Sequence, residues 1–146
     1  MVDIVSNSPE ETISIGKRIA GFLTAGSVVA LVGCLGSGKT CLTKGIALGL
    51  GITETVTSPT YTIINEYRME TSSASPTLLH IDAYRLNCDK DFEDIGGDDI
   101  INSDRISIIE WSERIPKSIP ENSIIIRIEI TGPVSRAIKI KGLDKL

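Results

Sequence analysis

The sequence predicts an α/β fold, with a sheet that is parallel at its centre and antiparallel at its margins and has helices on both faces. Residues 27–32 are almost entirely apolar, which is typical of a central strand buried on both sides. A glycine-rich turn and a helical pattern follow directly. Residues 124–141 alternate in polarity around Gly132-Pro133, as a hairpin would. Without a repeat or long linker, we expect one domain spanning residues 1–146.

The first predicted element is a helix with a defined start. Ser8 can cap it, Pro9 suits its first position, and Glu11 completes a capping box. Gly26 stands where a glycine would end the helix. The apolar residues of this segment share one helical face and are Ile15, Ile19, Phe22 and Leu23.

After the strand at 27–32, a second helix is expected from Lys39 to Gly49 or Gly51. Residues 61–69 and 77–81 predict two strands around a polar turn, and 89–103 predict one or two short helices. The last strands are expected at 106–109, 124–130 and 137–141, with the final two paired antiparallel.

Composition narrows the class of protein. The 146 residues carry a formal net charge of −4, which argues against holding a nucleic acid by a basic surface of the chain's own. Three cysteines lack metal-site spacing, and neither a signal peptide nor a membrane span is apparent, so we expect a soluble cytoplasmic protein. A cluster of acids predicts either a solvated face or a docking surface for a basic partner: Asp89, Asp91, Glu93, Asp94, Asp98 and Asp99.

Residues 33–40 match the full Walker A pattern and so predict a P-loop, a backbone cradle for nucleotide phosphates. Glycines let successive N–H groups converge on one anion, and the following helix adds its positive end. Lys39, expected to be exposed, would bridge the β- and γ-phosphates, and Thr40 would place its hydroxyl on Mg²⁺. The residues expected around the nucleotide phosphates are Gly33, Leu35, Gly36, Ser37, Gly38, Lys39, Thr40 and Cys41.

Two carboxylates could complete this site. Asp82 and Glu110 each follow a predicted buried strand, at the sheet edge where open α/β proteins bind ligands. Spacing leaves open which of them binds Mg²⁺ and which orients water. His80, the only histidine, is expected to be structural rather than a catalytic base, and Trp111 is either core or a wall of the nucleotide or partner site.

Four segments together resemble the TsaE (YjeE) family: residues 33–40, 58–62, 80–86 and 109–111. That family comprises bacterial P-loop ATPases of tRNA threonylcarbamoyladenosine biosynthesis. The resemblance implies ATP or ADP as ligand, Mg²⁺ as cofactor, and ATP hydrolysis that supports the partner proteins TsaB and TsaD. The tRNA would be the substrate of the complex, with direct contact left open.

The resemblance also implies roles for individual residues. Lys39 and Thr40 would hold phosphate and Mg²⁺, Glu110 would be the metal-side acid and Asp82 the second acid. Thr60 would be a switch-like catalytic threonine. Further residues expected at the nucleotide are Thr12, Trp111 and Arg136.

Other functions remain open from the residues alone. The chain could be a nucleotide-dependent switch that does not hydrolyse, or a small-molecule kinase, although it has little spare length for a lid. No guanine-reading Asn/Thr-Lys-x-Asp segment follows Glu110, which favours adenine.

Overall fold

The computed structural model describes residues 1–57, 63–69 and 77–146. Within them, seven strands form one sheet in the order β1-β7-β6-β2-β5-β4-β3. The strands are β1 (Val2–Ser6), β2 (Val28–Val32), β3 (Ile64–Tyr67), β4 (Leu78–Asp82), β5 (Ile106–Glu110), β6 (Ile124–Ile130) and β7 (Arg136–Lys141). The helices are α1 (Pro9–Ala20), α2 (Lys39–Gly49), α3 (Asp89–Asp94) and α4 (Gly97–Ile101).

The predicted mixture of strand directions is confirmed. β2 pairs in parallel with β5 and β6, and β5 pairs in parallel with β4. The outer pairs β1–β7, β6–β7 and β3–β4 are antiparallel. β1 was not predicted, because its short alternating pattern gains stability only from pairing with β7, at the far end of the sequence.

Helices cover both faces of the sheet. On one face, α1 and α2 pack against one side of the central strands, with Ile19 and Leu42 fully buried. On the other face, Phe92 of α3 and Ile101 of α4 pack against Leu79, Ile81 and other residues that point the opposite way. Two cores therefore hold the central strands in place from both sides.

The predicted cap of α1 by Ser8 is confirmed, but the predicted capping box and the predicted end of the helix are both wrong. The Ser8 hydroxyl accepts from the Glu11 N–H at 3.1 Å, while the Glu11 carboxylate accepts from Asn7 rather than from Ser8. The helix stops at Ala20, so the prediction that Gly26 ends it is wrong. Gly26 instead has φ +84° in the turn before β2, and Phe22, expected inward, is 41% exposed.

Helices α1 and α2 touch backbone to backbone. A methyl group added at Gly45 would lie 2.2 Å from the Ile13 carbonyl oxygen, and one at Gly16 would lie 2.5 Å from that of Leu42. At Gly49 the nearest atom would be the Cβ of Ala20, at 2.5 Å. The three glycines therefore permit an approach that any side chain would block.

No helix in the described ranges is long and apolar enough to cross a membrane.

Candidate functional site

Residues 33–38 join the carboxyl end of β2 to the first turn of α2. Gly36 and Gly38 have φ values of +77° and +108°, a conformation that favours glycine. Gly33 is confined for another reason, since an added Cβ would lie 2.8 Å from the Ile128 carbonyl oxygen. The loop thus takes the strand–loop–helix context that the Walker A pattern requires, with the N-terminus of α2 behind it.

Lys39 is held inside this loop rather than exposed. Only 6% of the residue is accessible, so the expectation of an exposed lysine is wrong. Its Nζ donates to the Gly33 carbonyl oxygen at 2.6 Å and lies 3.8 Å from the centre of the Trp111 ring. The ammonium is therefore anchored by a carbonyl dipole and by the face of an indole.

Trp111 is held by its own neighbours in turn. The Tyr84 ring centre lies 5.0 Å from that of Trp111, and the Arg114 guanidinium lies 4.9 Å from the Tyr84 ring. Among the described residues, Trp111 is the only non-glycine with positive φ, at +57°. This strained backbone aims the indole at Lys39, so Trp111 is a wall of the loop region as well as partly buried core.

The two predicted acids lie side by side. Asp82 ends β4 and Glu110 ends β5, and the strand register pairs them directly. Asp82 is half-buried and its Oδ1 accepts from the Tyr84 N–H at 2.9 Å, whereas Glu110 is only 4% exposed. Both carboxylates therefore lie at the sheet edge from which the loop also departs.

These groups suit Mg²⁺ by their chemistry. The Thr40 hydroxyl and two carboxylates are oxygen ligands, which Mg²⁺ prefers. No group of three or more His, Cys, Asp or Glu within 1–57, 63–69 and 77–146 could hold a metal by itself. Mg²⁺ is usually held in proteins by one or two carboxylates together with phosphate oxygens.

His80 is fully enclosed in the sheet beside Glu110. Its Nε2 lies 2.9 Å from the Glu110 Oε2. An ionised carboxylate can only accept, so Nε2 is the donor when Glu110 is ionised. Nδ1 is buried and has no hydrogen-bond partner in the part of the chain that the structure describes. This enclosure favours the structural interpretation of His80 over the catalytic base.

Arg136, at the start of β7, donates hydrogen bonds to the loop, although it lies 99 residues after Ser37 in the sequence. Its guanidinium donates to the carbonyl oxygens of Ser37 at 2.9 Å and Gly36 at 3.3 Å. It also donates to those of Gly132 and Ser135, at 3.1 and 2.8 Å. This contact could not be predicted from the sequence, because nothing in residue spacing places β7 beside the loop.

A cavity of about 150 Å³ opens beside the loop, and it gathers several of the expected nucleotide residues. Its walls include Thr12, Cys41 and Arg136, together with Gly36, Gly38, Ser8, Pro9, Pro133 and Val134. Thr12 is buried, with its hydroxyl 2.8 Å from that of Ser6. Leu35 instead projects at the loop tip and is 88% exposed.

A larger hollow of about 480 Å³ lies on the sheet face away from α1 and α2. It is lined by Ala30, Val32, Ile119 and Ile125, among others. Neither Lys39 nor the two strand-end acids line it, so its size does not make it the candidate site.

Two further predictions concern Thr60 and the acidic cluster, and the structure bears on the second only. Thr60, and with it segment 58–62, lies outside the described residues. In the acidic cluster, Asp89 Oδ1 accepts from both the N–H and the hydroxyl of Ser118, and Asp91 accepts from the Asn87 N–H. Those two carboxylates therefore have local structural roles.

Comparisons with known proteins agree on one family. A family model described as "Threonylcarbamoyl adenosine biosynthesis protein TsaE" matches residues 6–138. The tRNA threonylcarbamoyladenosine biosynthesis protein TsaE of Treponema pallidum (strain Nichols) is 40% identical over 136 residues, covering 93% of this chain and 97% of that protein. The protein of the same name from Bacillus subtilis (strain 168) is 40% identical over 131 residues, covering 90% and 79%.

A solved structure is similar as well. The crystal structure of YdiB from Bacillus subtilis superposes with a TM-score of 0.79 at 34% sequence identity. The match covers 95% of this chain and 83% of that one. The predicted fold class, with its parallel centre and flanking helices, is thereby confirmed.

Proposed function

Because the chain belongs to the TsaE family of tRNA threonylcarbamoyladenosine biosynthesis proteins, we propose that it binds and hydrolyses ATP with Mg²⁺ in support of that tRNA modification. One observation carries the proposal. The complete Walker A segment lies between a buried strand and a helix, and Asp82 and Glu110 lie in register at the same sheet edge.

The phosphates would lie on the loop N–H groups and the start of α2. There Lys39 would exchange the Gly33 carbonyl for β- and γ-phosphate oxygens, which carry more negative charge and form stronger bonds. Thr40 and one of the two acids, Glu110 or Asp82, would hold Mg²⁺ directly, and the ion neutralises phosphate charge when bound. The acid that does not bind the ion directly would orient the attacking water.

The nucleoside would extend toward the cavity formed by Thr12, Cys41 and Arg136. At about 150 Å³ this cavity is smaller than a typical ligand pocket of about 300–1,000 Å³. The nucleoside would therefore remain partly open to solvent.

Turnover by the isolated chain should be slow. Arg136 donates to four backbone carbonyls, and Arg114 lies over the Tyr84 ring, so neither is placed to stabilise charge at the γ-phosphate. Arg85 closely follows Asp82 in the sequence and is the arginine of this chain that could act there in cis. Where no arginine stabilises that charge, the rate in P-loop enzymes is lower by about 10³–10⁵. We therefore propose that TsaB and TsaD complete or order the site, in the cytoplasm, with tRNA as the substrate of the complex.

Steady-state hydrolysis of ATP and GTP tests the proposal, with TsaB and TsaD added singly and together at fixed salt. We expect slow ATP turnover alone and a clear rise with both partners. Nucleotide binding without hydrolysis in any mixture would favour the non-hydrolysing switch. Phosphate transfer to a small molecule would favour a kinase, and a fast enzyme indifferent to both partners would contradict the partner role.

A further inference from the structure

We propose that His80 is a positioning residue for Glu110: it holds one carboxylate oxygen inside the sheet so that the other is presented to Mg²⁺. The proposal rests on the function proposed above. It adds a residue that does not touch nucleotide but determines how the metal-side acid is oriented.

The contact is short and enclosed. The Nε2 of His80 lies 2.9 Å from the Glu110 Oε2, and the two residues are 0% and 4% exposed. Within such a site the bond is stronger than in water and competes with few alternatives. The hydrogen bond links two neighbouring strands, since His80 lies on β4 and Glu110 on β5. The Glu110 side chain is thus restrained across the strand pair and not only by its own backbone.

Packing alone does not account for a histidine at this position. The buried Nδ1 has no partner among the described residues, and an unsatisfied buried polar atom costs about 1–3 kcal/mol. An apolar side chain of similar size would avoid that cost. A histidine here is explained if its other nitrogen serves a function, and that nitrogen faces Glu110.

The same arrangement fits the needs of a metal-side acid. Groups that orient metal ligands typically change metal affinity or activity by about 10–100-fold when they are removed. Asp82 has a comparable restraint from the Tyr84 N–H. Each strand-end acid therefore has one oxygen tied to the protein, by a side chain for Glu110 and by the backbone for Asp82.

The first test is ¹⁵N NMR of the unmodified chain, so its result does not depend on whether a variant folds. The chain has a single histidine, so its two imidazole nitrogens give an unambiguous ¹⁵N NMR signature. We expect the tautomer protonated at Nε2, and a change at Nε2 when ADP is added with Mg²⁺ that is absent when ADP is added with EDTA. The opposite tautomer, or identical spectra in both conditions, would overturn the proposal.

The second test compares two substitutions of similar size. His80→Gln places an amide N–H near the position of Nε2, and His80→Asn places it near that of Nδ1. Mn²⁺ binding to the ADP complex is followed by EPR, with ADP affinity in EDTA measured by calorimetry. We expect His80→Asn to weaken Mn²⁺ binding by about 10–100-fold and His80→Gln to stay within about threefold of the unmodified chain.

In both variants ADP affinity in EDTA should be unchanged, because the loop is intact. Ser123→Ala is the matched control, since Ser123 is also buried with an unpartnered side-chain atom but precedes β6, at the amino ends of the parallel strands and opposite to Glu110. Equal Mn²⁺ affinity in both His80 variants and the unmodified chain would overturn the positioning role alone. Failure of the unmodified chain to bind ADP at all would instead overturn the proposed function, and this inference with it.

Discussion

The central strands and the antiparallel margin of the sheet contribute to the site in different ways. β2, β4 and β5 are buried on both faces, and at their carboxyl ends they bear the loop, Asp82 and Glu110. β6 and β7 alternate between buried and exposed residues, and their contribution is Arg136, which binds loop carbonyls. The centre thus supplies the groups that would meet nucleotide and metal, while the margin sets the shape of the loop.

The largest expected effect is at the centre, on Lys39. Lys39→Met keeps the apolar stem but removes the ammonium, so ATP affinity should fall by about 100-fold or more through loss of charge-assisted bonds to phosphate. Isothermal titration calorimetry measures this. Lys44→Met, on the exposed side of the same helix, should bind ATP as the unmodified chain does. Unchanged affinity in Lys39→Met would contradict the phosphate role.

The second effect separates binding from hydrolysis. Glu110→Ala and Asp82→Ala should keep most ADP affinity, because the loop donors remain. Hydrolysis in the presence of TsaB and TsaD should fall about tenfold or more through loss of metal or water positioning. Asp98→Ala, an exposed acid of α4, serves as the control. If either acid variant turns over at the normal rate, that acid is structural only.

Of the two acid variants, Glu110→Ala should also lower the melting temperature more. Glu110 is buried and bonded to His80, so its removal leaves Nε2 unpartnered, whereas Asp82 is half-buried. Thermal unfolding of both variants side by side measures the difference.

A smaller effect is expected at the margin. Arg136→Gln loses guanidinium bonds to Gly36 and Ser37, so the loop should become less ordered and ADP affinity should fall by about 5–10-fold. Arg127→Gln is the matched control, because Arg127 is an exposed arginine on the adjoining strand β6. Amide exchange of residues 33–38 should rise in the first variant only. Equal amide protection of residues 33–38 in the two variants would contradict the role of the antiparallel margin in ordering the loop.

The smallest effect concerns the edge strand. Thr12→Val removes the hydroxyl contact to Ser6, which links α1 to β1, while Ser6 still donates to the Ser8 carbonyl. We expect a loss of about 1 kcal/mol in unfolding free energy and under about threefold in ADP affinity. Thr24→Val, at an exposed threonine, should cost less by urea titration. If the loss of ADP binding free energy exceeds the loss of unfolding free energy, the Thr12 hydroxyl contacts the nucleotide directly.

The sequence predicted the features that are local. These are the P-loop, the capped start of α1 and the strand-end positions of Asp82 and Glu110. Each is encoded by a short run of residues that favours one local structure. Contacts between distant segments were not predicted: the pairing of β1 with β7, the grip of Arg136 on the loop, and the bond from His80 to Glu110. Each of these depends on which strands become neighbours, and residue spacing alone does not encode that.

Lys39 also shows that contacts between distant segments are not predicted from residue spacing. Its place in the motif was evident from the sequence, but its burial was not. The ring that shields it belongs to Trp111, in a turn whose φ of +57° is unusual for an aromatic residue and could not be inferred from composition.

The backbone contact between α1 and α2 has a mechanical consequence. Elsewhere in a protein, helices shift by letting flexible side chains slide past one another, but at Gly16 and Gly45 no such layer separates the two helices. We therefore expect the two helices to move together rather than to slide past one another. The start of α2 would bind phosphate, and the start of α1 lines the cavity, so we expect the distance between these two points to stay nearly constant. If the proposed hydrolysis involves a conformational change, we expect it in the segments that follow the strand ends, with the two helices as the fixed support.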